Sequence, residues 1–161
     1  MYRLHPNETN MNTELYRLVY CSRNRIRGTE AEVTSEIQQI LRSSRDNNAR
    51  VGVTGALLYD AGTFAQALEG PLAAVEEVFE RIQEDFRHSD VTVVENGPVA
   101  TRLFGDWAMA MCGDGPKKAT LETSAVLEAA FAHSSEAGGQ VLELLGDLVM
   151  QENDRVLVDA W

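Results

Sequence analysis

Residues 51–71 read VGVTGALLYDAGTFAQALEGP, and the fold turns on how this stretch is divided. Two apolar runs, Val51–Tyr59 and Thr63–Leu68, flank Asp60-Ala61-Gly62. Such a separator is hairpin chemistry, with a glycine available for positive φ. Gly70-Pro71 then opens a helix, because proline suits the first helical turn. The helix carries Val75, Phe79, Ile82 and Phe86 as an apolar stripe at helical spacing. Its expected end is Arg87-His88, where cations offset the C-terminal helix dipole.

On the N-terminal side, the aromatic and β-branched run Leu15–Ser22 reads as a strand, followed by a basic loop, Arg23–Gly28. Val33, Ile37, Ile40 and Leu41 then mark a helix from Glu30 to Asn48. Its expected stop is Asn47-Asn48, since asparagine favours helix ends. On the C-terminal side, Val91–Val94 and Phe104–Met111 read as strands joined through Asn96-Gly97-Pro98. The order β-α-β-β-α-β-β predicts an α+β fold with a ferredoxin-like, five-stranded mixed sheet and two helices on one face. The first three strands are apolar at both alternating sets of positions, so the other face needs a cover as well. After the break at 113–118, helices over about Glu122–His133 and Gln140–Gln151 supply that cover as a C-terminal pair, divided at Gly138-Gly139. The expected organisation is a mobile extension at 1–13, a folded α+β unit at 14–112 and a helical cap at 113–161.

A chain of 161 residues buries roughly 70% of its unfolded surface, so it folds without disulfides or a metal. Cys21 and Cys112 form no metal or disulfide framework, and the three histidines are far apart in sequence. The charge of −11 disfavours direct nucleic-acid or anionic-membrane binding. No run approaches the ~20 apolar residues of a membrane span, and the N-terminus lacks a signal-peptide core, so a cytoplasmic location is expected. If the ligand carries phosphate, the few cations must be placed locally.

Several polar side chains sit where a strand core is expected. Tyr20 is mid-strand, and Gln66 lies inside Thr63–Leu68. A buried glutamine amide is costly unless both its ends are hydrogen-bonded. Asn48 closes the first helix, and Trp107 and Met109 share a face of the last strand. Each also has a plain structural explanation. Tyr20 fits a core tyrosine with a satisfied hydroxyl, Asn48 a helix C-cap, and Trp107 with Met109 core packing. Gln66 is explained least well in this way.

Four segments set these residues in context: LYRLVYCS at 15–22, NNARVGVTGALLY at 47–59, FAQALEG at 64–70 and FGDWAM at 104–109. Together they closely resemble the BLUF family of blue-light sensors using FAD, over about residues 14–112. The resemblance implies a flavin held between the two helices of a ferredoxin-like sheet. It makes Tyr20 the photoactive tyrosine, Gln66 the switching glutamine and Asn48 the residue that holds the flavin ring. Trp107 and Met109 become the last-strand residues that exchange positions or modulate the signal. By spacing more than by motif, Arg81, Arg87 and His88 fall where the family approaches the flavin side chain and phosphates. Arg87 and His88 serve equally well as a helix terminus.

The chemistry agrees with the resemblance. A flavin ring edge offers N–H beside carbonyl oxygen, which an asparagine amide matches. A glutamine can donate to that ring while accepting from a phenol, and a phenol is a competent donor to photoexcited flavin. The implied function is a photoreceptor rather than an enzyme. Light would rearrange a Tyr–Gln–flavin hydrogen-bond network and signal through the C-terminal helices to a partner protein. Short members of this kind imply a homo-oligomer. The alternatives are a light-insensitive interaction module and an acylphosphatase-type enzyme. The basic loop Asn24–Gly28 lacks the signature expected for the latter.

Overall fold

The computed structural model describes residues 14–60, 62–105, 109–112, 121–132 and 136–159. The extension at 1–13, Trp107 and the break at 113–118 lie outside these residues. The elements run β1 Leu15–Asn24, α1 Glu30–Val51, β2 Thr54–Asp60, β3 Thr63–Pro71, α2 Leu72–Glu84, β4 His88–Val99, β5 Ala110–Cys112, α3 Leu121–Phe131 and α4 Ala137–Asp159.

The fold is α+β. Four strands form an antiparallel sheet in the order β4-β1-β3-β2, the arrangement of a β-α-β-β-α-β chain. The expected strand over Phe104–Met111 is a correction. Leu103–Gly105 is irregular, and among the described residues only Ala110–Cys112 runs beside β2, in parallel, for three residues. A cause is visible in the backbone. The N–H groups of Leu103 and Phe104 are taken by the Glu69 carboxylate at 3.0 and 2.8 Å, which withdraws them from any ladder.

Helix α1 also outruns its expected stop. Thr29 and Glu32 form a capping box at its start, and Gly52 ends it in the left-handed conformation at φ 76°. Asn48 therefore sits one turn inside the helix, is not its cap, and is only 1% exposed. Helix α2 ends early, at Glu84, because Arg87 lies in a turn and His88 opens β4. Asn96-Gly97-Pro98 belongs to β4 rather than to a joint between strands. Gly138 and Gly139 lie in the first turn of α4 rather than between helices.

Alternation along the strands builds two cores. Leu18, Tyr20, Leu57, Phe64 and Leu68 pack with Val33, Ile37 and Leu41 of α1 and Val75 of α2. On the opposite face, Val19, Cys21, Leu58, Ala65 and Ala67 pack with Leu127 of α3 and Val141, Leu145 and Val149 of α4. Both faces of the sheet are thus covered, which explains why its central strands show no polar face. No helix among the described residues is long and apolar enough to cross a membrane.

Candidate functional site

Tyr20 in β1 and Gln66 in β3 are direct cross-strand partners. Opposed residues share a sheet face, so their side chains meet. The Tyr20 hydroxyl donates to Gln66 Oε1. That bond turns the other end of the amide toward Met109, whose Sδ accepts from Gln66 Nε2 at 3.3 Å. Each polar atom of the buried glutamine thereby has a partner, which resolves the cost foreseen for it. The amide nitrogen still carries a second N–H.

Tyr20 is 3% exposed, and its ring packs against Phe79 at 5.6 Å and edge-on to His88 at 6.2 Å. Burial pushes its phenol well above the ordinary tyrosine range, and the nearby Asp85 carboxylate adds to the effect. The hydroxyl is thus held neutral, as a proton donor to Gln66.

A cavity opens beside this pair, between α1 and α2. Ile40, Leu57, Phe64, Val78 and Ile82 give it apolar walls, and Asn47, Asn48 and Gln66 supply amides. Asn48 reaches it from within the C-terminal part of α1. Tyr20, Gln66 and Asn48, far apart in sequence, therefore line one space.

Arg81, Arg87 and His88 line the same cavity. Arg81 lines the cavity from α2 and forms an exposed i,i+4 pair with Glu77 at 3.1 Å, a link of small worth. Arg87 is held by Asp85 at 2.6 Å and by Glu36 at 3.4 Å. For Asp85, partial burial favours the neutral acid, but hydrogen bonds from Arg87 outweigh it and hold the carboxyl below its usual range. His88 spends both ring nitrogens on protein, Nδ1 with Ser22 Oγ at 2.7 Å and Nε2 with the Ile82 carbonyl at 2.5 Å. It therefore offers the cavity its ring. Arg81 and Arg87 also line a second hollow with Arg25 and Arg27, where Glu36, Glu84 and Asp85 stand among the four guanidinium groups.

Sequence reasoning passed over the residues that hold this site together. Arg17 and Glu69 form a buried ion pair at 2.8 Å, and Arg45 Nε donates to the Met109 carbonyl at 3.0 Å. A signal was available for Glu69, as an acid closing an otherwise apolar strand. Nothing local distinguishes Arg45 from its neighbours on a polar helix face.

Uncharged amides set in an apolar cleft, between two helices on an antiparallel sheet, have the make-up of a small-molecule site. The comparisons with known proteins agree: residues 15–110 match the BLUF family, sensors of blue-light using FAD, and the chain belongs to that family. The chain is 31% identical to BlrB, a BLUF protein solved in its dark state, with a TM-score of 0.66 over 87% of this chain and 98% of that one. A bacterial light-regulated adenylyl cyclase is 27% identical with a TM-score of 0.59, over 90% of this chain and 36% of that one. Among curated relatives, photoactivated adenylate cyclase subunit beta of Euglena gracilis is 39% identical over 75 residues, which are 46% of this chain and 9% of that protein. The chain thus corresponds to a small part of that cyclase.

FAD is the cofactor with which the family senses light. The residues present fit it. The cleft offers hydrogen-bonding amides of Asn48 and Gln66 to a ring edge, and the guanidinium-bearing Arg81 and Arg87 line the same cavity.

Proposed function

We propose that the chain is a blue-light photoreceptor whose switch is the hydrogen-bond pair Tyr20–Gln66. The observation that carries this reading is the bond itself. A neutral, buried phenol donates to a glutamine amide that lines the ligand cleft. When bound and excited by blue light, FAD supplies an oxidant.

Tyr20 would supply an electron and take it back on recombination, and in between its hydroxyl proton would leave toward Gln66 Oε1, along the hydrogen bond present in the dark, and return. Gln66 responds by rotating or tautomerising its amide. That change breaks the donation from Nε2 to Met109 Sδ and alters what Gln66 presents to the cleft. Asn48 holds the ring through its amide. Arg81 and Arg87 serve the phosphates, Arg81 the more readily because its present partner is a weak exposed one. His88 fixes the end of α2 against β1 and closes the cleft wall. Trp107, with Met109, completes the segment that reports on Gln66.

The output passes through the sheet to α3 and α4 and from there to a partner protein. The chain itself acts as a sensor and not as an enzyme, as a homo-oligomer in the cytoplasm, without direct contact to nucleic acid or membrane. The test is optical. Purified wild-type protein loaded with FAD is expected to show a small, reversible red shift of its flavin bands under blue light. Tyr20→Phe retains FAD and loses that shift. A wild type that binds FAD but shows no reversible shift overturns the reading.

A further inference from the structure

Met109 meets the photoactive amide, yet the described residues that precede it, Thr101–Gly105, lie in no strand. Its support comes from the far end. Glu69, wholly buried, lies three residues beyond Gln66 on β3 and points to the opposite face of the sheet. Its Oε1 accepts from the backbone N–H of Phe104 at 2.8 Å and its Oε2 from that of Leu103 at 3.0 Å. Oε2 also accepts from Arg17 Nε at 2.8 Å, and Arg17 Nη2 reaches the Thr101 carbonyl at 3.4 Å. Arg102 adds donations to the Glu69 carbonyl at 3.1 Å and to the Gly52 carbonyl at 2.9 Å. At the other end, Arg45 holds the Met109 carbonyl.

We infer that Glu69 is a positioning residue for the light reaction: it fastens the 101–105 segment to the strand that carries Gln66, and so fixes Met109 against the Gln66 amide. The inference rests on the proposed Tyr20–Gln66 switch. A buried carboxylate without partners would be costly, so its bonds to two backbone N–H groups define one position for the segment. The same strand grips that segment twice, through Glu69 on one face and through Gln66 and Met109 on the other. Phe104 is buried in the core under α3 and α4, and Met109 in the core under α1 and α2. The segment therefore has a buried side chain on each side of the sheet, and Glu69 sets the geometry between them.

The experiment uses the FAD-loaded full chain and follows dark recovery after a blue pulse. Wild type is measured first. Absence of a reversible shift there defeats the photoreceptor reading itself, before any variant is made. Glu69→Asp keeps the charge opposite Arg17 but withdraws the carboxylate by one methylene, so it folds and loses its reach to the segment. The recovery rate should change by at least about threefold, and by no more than about 1.5-fold when Glu69→Asp is added to Met109→Leu, since coupled sites are not additive.

Thr29→Ala, at the exposed N-cap of α1, serves as a stability control. It lowers the thermal midpoint and leaves recovery at the wild-type rate. An unchanged rate in Glu69→Asp overturns the inference. So do effects that multiply in the double variant, or a control that shifts recovery as much as Glu69→Asp does. Should Glu69→Asp fail to hold FAD, hydrogen exchange in wild type decides. Exchange at the Leu103 and Phe104 amides should quicken in the light, because coupling is reciprocal. Exchange equal in dark and light overturns the inference.

Discussion

At the scale of the residue, Tyr20 illustrates how burial selects a protonation state. An unfolded tyrosine ionises near pH 10, whereas the folded phenol, desolvated and facing Gln66, resists ionisation well beyond that. The folded state therefore binds the proton more tightly than the unfolded one. Its contribution to stability is fully present below the unfolded value and is lost as pH rises past it. Above about pH 10 this one group should lower stability by ~1.4 kcal/mol per pH unit, a slope that Tyr20→Phe removes from urea titrations run at several pH values. Asp85 has the opposite sign. Its lowered value stabilises the fold above the ordinary carboxyl range and loses that contribution as pH falls through the folded value. Asp85→Asn should therefore flatten the acid limb of the same profile. The chemistry of Tyr20 and Gln66 was legible in the sequence, as polar groups inside apolar strands. Their partnership with Met109 was not, because a thioether accepting from an amide leaves no pattern in the chain.

At the scale of the element, the errors in reading the sequence have a common origin. Asn47-Asn48 reads as a helix stop by local preference, but the left-handed Gly52 provides a better cap, so α1 continues to Val51. Asn48 therefore lines the cleft from inside the helix rather than from its end. The start of α1 follows the local rules more closely, with both bonds of the capping box present at Thr29 and Glu32. Thr29→Ala should cost about 1 kcal/mol of stability in a denaturant melt, with FAD binding retained. Gly138 was read as a helix divider and lies instead where α4 meets β4. A Cβ there would come within 2.5 Å of the Val94 carbonyl oxygen. Gly138→Ala should therefore force the start of α4 off β4, seen as a lower thermal midpoint and faster hydrogen exchange at 137–145. The expected last strand failed for a tertiary reason, since Glu69 claims the amides of Leu103 and Phe104.

At the scale of the whole molecule, one sheet separates two cores, the cleft side under α1 and α2 and the cap side under α3 and α4. Leu145 is fully buried on the cap side and does not line the cleft. Leu145→Ala should lower stability by about 2–5 kcal/mol, read by urea unfolding, with the dark flavin spectrum unchanged. The same division makes signalling through the cap measurable. Hydrogen exchange in α3 and α4 is expected to differ between dark and lit protein, and identical exchange would remove the cap from the signalling path. Arg23 offers a place to look. It pairs with Glu128 of α3 at 2.8 Å, and its guanidinium lies 3.8 Å from the Phe131 ring centroid.

The sequence by itself determined the order of the first six elements, the two-sided burial of the sheet and the residue types of the switch. Those follow from apolar periodicity, turn chemistry and the cost of burying an unpartnered amide, all of which are local. Only the tertiary structure decided that Tyr20 faces Gln66 directly, that Asn48 lines the same cleft, and that Glu69 rather than a strand ladder holds the amides of Leu103 and Phe104. Register across strands and capture of backbone groups by a distant carboxylate depend on contacts between residues 35 to 46 positions apart, and no short window of sequence contains them.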